Sequence, residues 1–390
     1  MTARALAADL TRPLTIGMFS DSYLPEKNGL VTSVVGAAHA LRRRGHRVIV
    51  VAPAHKDAID DDPDVFRFHS TSFPFYPQLR MAFPLPASLL TSLPRMPFDI
   101  IHSHSFFFVG CLGAYLAQRR QTPLVFTYHT LFTQYTHYLP LQRDFAKSRF
   151  IWLSREFSNR CDRIIVPTHY TAAELNEYGV SKPIDVLPTG VDMALFEGGA
   201  IAPETHRARC GGEIALFAGR LGKEKNLDLV LDGFSLAARR LPRARLVIAG
   251  EGPYENELRK HADALACADR IEFTGSLEKS DLGSWYRAAD AFVFASTTET
   301  QGLVLVEAMA HGVPVVAVDC PVSREVGAGG AVALVEESVE ALADALCDAL
   351  ACTGEIRTER VAASRIAATP FAVDSLCERL EALYYSALAS

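Results

Sequence analysis

Ser296-Thr-Thr-Glu299-Thr-Gln-Gly302-Leu-Val-Leu-Val-Glu307-Ala-Met-Ala310 follows the apolar run Ala291–Phe294. The run reads as a buried strand. Gly302 lets the backbone turn tightly, and the following apolar residues predict a helix to about Ala310. His311-Gly312 ends that helix before Pro314. Free N–H groups at such a helix start suit a diphosphate or sugar hydroxyls. Glu299 lies just before the helix and Glu307 about one turn inside it, so both can face one cleft. A carboxylate beside a diphosphate accepts hydrogen bonds from hydroxyls or ligates a metal. Taken singly, Glu299 reads equally as a helix cap and Glu307 as a solvated helix residue.

Outward from this unit the same pattern repeats. Ile214–Ala218, Arg245–Ala249, Ile271–Phe273 and Val315–Val318 read as further strands with helical stretches between them. Earlier in the chain, strand signals fall at Leu14–Ser20, Arg47–Val51, Val65–Phe68, Ile100–His102, Leu124–Thr127, Ile164–Val166 and Ile184–Leu187. Val31–Arg44 reads as a helix stopped by Gly45. Strand–helix alternation implies parallel sheets with right-handed crossovers, an α/β doubly wound fold occurring twice. The irregular, glycine-rich stretch 192–212 reads as the boundary. The expected division is 1–195, 196–370, and a final segment 371–390 that reads as amphipathic helix crossing back to the first domain. Ligands of such sheets bind beyond the carboxyl ends of the strands, so the loops there carry the chemistry.

Three more of those loops stand out. Gly219-Arg220-Leu-Gly222-Lys223-Glu-Lys225-Asn226 follows Ile214–Ala218. An Arg fork and a Lys point charge suit a diphosphate, above all one becoming a leaving group, and make a divalent metal unnecessary. The alternative is an exposed basic loop paired with Glu224. Ser20-Asp21 through Asn28-Gly29 follows the first strand, and Gly29 at a helix start lets backbone approach a ligand. The third group is histidine-rich: Asp99-Ile-Ile-His102-Ser-His104, then Phe126-Thr-Tyr128-His129-Thr130, then Tyr135-Thr-His137-Tyr138. Zinc is one reading, but no Cys or acidic ligand lies at suitable helical spacing. Neutral histidines donating to sugar hydroxyls fit better, and His102 reads equally as a satisfied core residue.

Composition narrows the class. The chain has 390 residues, 49% hydrophobic, enough for two cores. Its eight cysteines include no C-x-x-C pair and read as buried thiols in a reducing cytosol. Residues Met1–Pro13 lack the apolar run of a signal peptide, and no apolar stretch reaches the roughly 18 residues of a membrane span. The expected location is therefore cytoplasmic, peripheral on the inner face of the cell membrane at most. Net charge is −6, but residues 1–195 hold 20 Lys+Arg against 16 Asp+Glu, and 196–390 hold 19 against 29. The basic half suits an anionic ligand or membrane surface; nucleic acid is not expected. No G-x-G-x-x-G follows Leu14–Ser20 or Ile214–Ala218, which disfavours a nicotinamide dehydrogenase. A nucleotide-sugar epimerase, a hydrolase or a non-catalytic binding protein remain as rivals.

Arg220 with Lys225, and Glu299 followed seven residues later by Glu307, resemble the retaining glycosyltransferase family 4. The resemblance covers nearly the whole chain. It implies the GT-B fold, two Rossmann-like domains facing a central cleft. It also implies Arg220 and Lys225 on the donor diphosphate, Glu299 on the transferred sugar and Glu307 on the nucleotide ribose. His129 would lie near the sugar 6-hydroxyl, making His129, Arg220, Lys225 and Glu299 the catalytic set. Gly29 would close over the phosphates, and backbone around Thr300, Gln301, Gly302 and Leu303 would bind sugar hydroxyls. Phe273-Thr274-Gly275 would border the base. Many members carry two consecutive glycines where this chain has Asn28-Gly29. No cofactor and no essential metal is implied; the substrate would be a nucleotide diphosphate sugar such as UDP-glucose.

Tyr128-His129-Thr130 with Tyr135-Thr-His137-Tyr138 resembles the diacylglycerol glucosyltransferase subgroup, implying a lipid acceptor near Tyr128, Tyr135, His137 and Tyr138. Residues 141–163 interleave Arg143, Lys147, Arg149, Arg155, Arg160 and Arg163 with Phe145, Phe150, Trp152, Leu153 and Phe157. Such a segment either lies in an anionic membrane interface or buries its aromatics in the core.

Overall fold

The computed structural model describes residues 12–59, 61–73, 76–134 and 143–389. It divides into two units, one running to Gly190 and resuming at Val373, the other Val191–Ala372.

The first unit is a seven-stranded parallel sheet of β1 (Thr15–Phe19), β2 (Arg47–Pro53), β3 (Val65–Phe68), β6 (Ile100–Ser103), β7 (Leu124–Thr127), β8 (Arg163–Val166) and β9 (Ile184–Val186), in spatial order β3-β2-β1-β6-β7-β8-β9. A separate antiparallel hairpin, β4 (Ser70–Phe73) and β5 (Tyr76–Ala82), intervenes in sequence. The sequence reading missed it because short strands without a buried β-branched run carry little periodic signal. Helices α1 (Gly29–Arg43), α2 (Ala87–Ser92), α3 (Phe108–Arg120), α4 (Arg143–Ser158) and α5 (His169–Glu177) accompany the strands. The central strands are buried on both faces, as parallel sheets require.

In the second unit, α6 (Pro203–Cys210) lies within the stretch expected to be irregular. Pro203 at its first turn and Gly211, left-handed at φ 67°, explain how so short a helix starts and stops. Six parallel strands follow: β10 (Ile214–Ala218), β11 (Arg245–Ala249), β12 (Ile271–Gly275), β13 (Ala291–Phe294), β14 (Val315–Val318) and β15 (Val332–Val335). Their order is β12-β11-β10-β13-β14-β15. Helices α7 (Leu227–Arg240), α8 (Glu255–Asp263), α9 (Lys279–Ala288), α10 (Leu303–Ala310), α11 (Pro321–Val326), α12 (Val339–Leu350) and α13 (Gly354–Ala368) complete it. β15, with two exposed residues among four, was not legible as a strand. The strand order reverses between β10 and β13, and again in the first sheet between β1 and β6, where doubly wound sheets bind ligands.

The last helix, α14 (Val373–Leu388), packs on α1. Leu376, Leu380 and Tyr384, four residues apart, form its buried stripe. Arg43 reaches Asp374 at 2.7 Å, and Glu381 takes His46 Nε2 at 2.9 Å.

Candidate active site

Each unit gathers several of the side chains singled out in the sequence near its switch point. In the second unit, the loops after β10 and β13 meet. The loop after β10 begins with Gly219 at φ +147°, and Gly250 after β11 stands at φ +145°. A Cβ on Gly250 would sit 1.9 Å from the Gly219 carbonyl oxygen, so these loops pack backbone against backbone. That leaves the side chains of the β10 loop to point elsewhere. The Arg220 guanidinium pairs with Glu224, whose side chain is buried, and the Lys225 ammonium pairs with Glu299. Ser296 Oγ donates to the Glu224 carbonyl at 3.2 Å, tying the β13 loop to the β10 loop. The pairing with Glu224, weighed above as the ordinary alternative for Arg220, is therefore present, alongside the Lys225–Glu299 pair.

α10 starts at Gly302, left-handed at φ 67°, an N-cap without a side chain to cap the helix. Leu303 opens the helix, and Thr300 and Gln301 precede it, Gln301 buried. Thr298 Oγ1 is buried with no hydrogen-bond partner among the described residues. Glu307, expected as solvated or ligand-facing, is 1% exposed. One carboxylate oxygen pairs with Lys279 from α9, and the other accepts the Tyr286 hydroxyl at 3.0 Å. Burial, then the Glu307 charge, pushes the Tyr286 phenol up, so it stays a donor. His311 donates through Nδ1 to the Glu307 carbonyl at 2.8 Å and stacks on Tyr286 at 4.9 Å. Lys279 and Tyr286 escaped the sequence reading; they lie on a different helix, and only packing brings them to Glu307. Thr274 Oγ1 donates to the Gly275 carbonyl at 3.0 Å, and Gly275, at φ 72°, accepts the Gly250 N–H at 2.8 Å.

In the first unit, Asn28 caps α1 by accepting the Val31 N–H at 2.9 Å. This accounts physically for Asn where a second glycine would resemble the family more. A Cβ on Gly29 would meet nothing within 4 Å, leaving open space over that helix start. Asp21 is buried at the start of α3, where it holds Ser105 Oγ at 2.5 Å, the Val109 N–H at 2.9 Å and the Gly110 N–H at 3.2 Å. Burial raises its carboxyl despite those donors.

Three histidines meet at the ends of β6 and β7, His102 within β6, and His104 and His129 just past the two strands. His102 is fully enclosed, Nδ1 2.7 Å from the Tyr384 hydroxyl of α14 and Nε2 2.7 Å from Thr127 Oγ1. His104 Nδ1 lies 3.0 Å from His129 Nε2. Burial depresses all three, His102 and His129 to about 3, so each is neutral at pH 7. Tyr128, expected near the acceptor, is 1% exposed in the core, its hydroxyl 3.0 Å from Ser154 Oγ. Tyr135, His137 and Tyr138 lie outside the described residues.

Helix α4 divides its aromatics. Phe157 is buried, and Phe150 and Leu153 pack on the core. Phe145 and Trp152 are 56% and 42% exposed, with the Arg149 guanidinium 5.1 Å over the Trp152 ring. One face of this helix thus packs its aromatics on the core, and the opposite face leaves Phe145 and Trp152 exposed. Among the described residues, no helix is long and apolar enough to cross a membrane, and no cluster of three or more His, Cys, Asp or Glu is arranged to hold a metal ion.

Two parallel-sheet Rossmann-like units, one bearing paired cations and carboxylates at its switch point, have the architecture of the GT-B fold. Residues 27–195 match the model of Glycosyltransferase Family 4, and 202–365 match Glycosyl transferases group 1. An alpha-monoglucosyldiacylglycerol synthase of Streptococcus pneumoniae is 34% identical over 78% of this chain and 71% of that protein. A GDP-mannose-dependent alpha-mannosyltransferase of Corynebacterium glutamicum is 29% identical over 86% of this chain and 77% of that protein. Anabaena HepE, solved in complex with UDP and glucose, superposes with a TM-score of 0.76 at 19% identity, covering 96% of this chain and all of that one. The chain belongs to the family 4, group 1 glycosyltransferases and is a hexosyltransferase.

Proposed function

We propose that this protein transfers a hexose, glucose in the first instance, from a nucleotide diphosphate sugar to a lipid acceptor such as 1,2-diacylglycerol, with retention and without an essential metal. The observation that carries the reading is the Lys225–Glu299 pair at the second unit's switch point, beside Arg220. A diphosphate carries more charge than a carboxylate, so a donor draws Lys225 and Arg220 onto its phosphates. Glu299 is then released to accept hydrogen bonds from the sugar hydroxyls. Glu307, steadied by Tyr286, accepts from the ribose hydroxyls. His129, neutral, donates to the sugar, and Gly29 closes over the phosphates.

As the bond from the anomeric carbon to the leaving oxygen breaks, negative charge gathers on the diphosphate, where Arg220 and Lys225 stabilise it. A leaving phosphate oxygen takes the acceptor hydroxyl proton, and the acceptor oxygen bonds to the anomeric carbon on the same face. Glu299 positions the sugar rather than attacking it. The name of the S. pneumoniae relative supports glucose and diacylglycerol. Exposed Phe145 and Trp152 with Arg149 support docking of α4 to an anionic membrane surface. The C. glutamicum relative supports a second reading, a mannosyl donor with another acceptor.

Lys225→Ala and Glu299→Ala are expected to cut turnover by about 10²–10³-fold with the circular dichroism unchanged. Near-normal rates in either variant overturn the donor assignment. Flotation with anionic vesicles tests the lipid reading; failure to float counts against it.

A further inference from the structure

Glu307 is a buried carboxylate with an exposed partner. Its side chain is 2% exposed, whereas that of Lys279 is 36% exposed. The two carboxylate oxygens meet different neighbours: Oε2 accepts the Tyr286 hydroxyl at 3.0 Å, and Oε1 pairs with the Lys279 ammonium. Tyr286 is fully enclosed and closes the Oε2 side. A ligand that reaches Glu307 therefore comes to Oε1, beside Lys279.

The ammonium is held in place there. It lies 4.9 Å over the Phe196 ring, a favourable seat for a cation. Phe196 in turn meets Tyr286 at 6.1 Å and His311 at 5.1 Å, so one aromatic group supports both members of the ion pair. Lys279 opens α9, just beyond the carboxyl end of β12, where sheets of this kind bind ligands.

The chemistry of the pair selects what it binds. A carboxylate only accepts hydrogen bonds, and an ammonium only donates them, through three N–H groups of which Glu307 engages one. A hydroxyl does both, and beside this pair both of its bonds are charge-assisted. A phosphate oxygen cannot donate to Glu307 and is repelled by it. We infer that Lys279 is a donor-binding residue: with Glu307 it reads one ribose hydroxyl of the nucleotide, the hydroxyl donating to the carboxylate and accepting from the ammonium. This deepens the donor reading and rests on the placement of the ribose at Glu307. A deoxyribose lacking that hydroxyl makes neither bond.

The test is calorimetric binding of full-length wild type, Lys279→Met, Glu307→Gln and the double variant to UDP and to GDP, each with ribose, 2′-deoxyribose or 3′-deoxyribose. Wild type is expected to bind a ribonucleotide about tenfold or more tighter than one of its deoxy forms. Lys279→Met should weaken the ribonucleotide about tenfold and leave that deoxy form within about threefold, erasing most of the preference. The double variant leaves no buried charge unpaired, so it serves even if Lys279→Met fails to fold. It should bind the ribonucleotide about threefold or more weakly than Glu307→Gln does. Wild type binding neither nucleotide overturns the donor reading and this inference with it. Equal wild-type binding of ribose and both deoxyribose forms removes the ribose from Glu307. A preference undiminished in Lys279→Met, both forms weakened alike, or a double variant equal to Glu307→Gln overturns the role of Lys279 alone. So does tighter ribonucleotide binding by Lys279→Met, which would show the ammonium competing with the ribose for Glu307.

Discussion

Acid should destabilise the first unit through its buried histidines, and the size of the effect follows from their enclosure. Burial holds His102 and His129 at about 3, against an ordinary value near 6.5. Between those values the unfolded chain binds protons that the folded chain excludes, so stability falls as pH falls. The loss begins near pH 6.5 and levels off below about 3. From pH 7 to pH 5 each histidine costs about 2 kcal/mol, a figure set by the unfolded value and insensitive to the folded one while that stays below about 4. Other groups act in both directions. Asp21 and Glu26, raised mainly by burial, favour the folded state as pH falls, whereas Glu381, lowered by Arg44 and His46 against its desolvation, opposes it. The histidine share is therefore read by difference, from urea unfolding of wild type and His129→Gln at pH 7 and pH 5. Of the chain's two tryptophans, Trp152 lies in the first unit; Trp285→Phe in both proteins leaves it as the reporter. Wild type should lose about 2 kcal/mol more than His129→Gln over this range. Parallel pH profiles would show that His129 titrates alike in both states, and would refute the claim that burial keeps it neutral.

Gly250→Ala should destabilise the second unit by about 4 kcal/mol or more, since its Cβ would meet the Gly219 carbonyl oxygen at 1.9 Å in a left-handed backbone; thermal unfolding within 2 °C of wild type would contradict this backbone contact. Tyr384→Phe removes the hydroxyl 2.7 Å from His102 Nδ1 and should cost about 1–3 kcal/mol, seen as a lowered midpoint for the first unit and unchanged unfolding of the second. Glu307→Gln keeps the size of the side chain but loses the charge facing Lys279, and should raise the donor KM about 10-fold or more with a smaller change in kcat. An unchanged KM in steady-state assays would remove Glu307 from the donor site.

The strands were legible wherever burial forces continuous apolar runs: Leu124–Thr127, Ile214–Ala218, Arg245–Ala249, Ala291–Phe294 and Val315–Val318 stand where the sequence put them. Helix α10 was legible because Gly302 and His311-Gly312 punctuate it from both ends. The carboxylates and cations could be named from loop position, but their pairing could not. Lys279 is 28 residues from Glu307, and its approach depends on how α9 packs. Tyr384 lies 282 residues from His102, a separation at which no local pattern carries information. The burial of Tyr128 was not legible from its place beside His129 in sequence. Successive residues at a strand end point to opposite faces, and Tyr128 takes the inner one. For α4, composition could not divide the aromatics between faces; helical spacing does, placing Phe145, Arg149 and Trp152 together outside.

The central claim is tested most directly by product analysis: purified protein, a panel of nucleotide sugars, diacylglycerol in anionic vesicles and excess chelator, with the anomeric configuration of any glycolipid read by NMR. The account predicts an α-linked hexosyl-diacylglycerol from an α-linked donor, formed at an undiminished rate in chelator. A β-linked product, a donor merely epimerised or hydrolysed, or transfer that stops in chelator would contradict it.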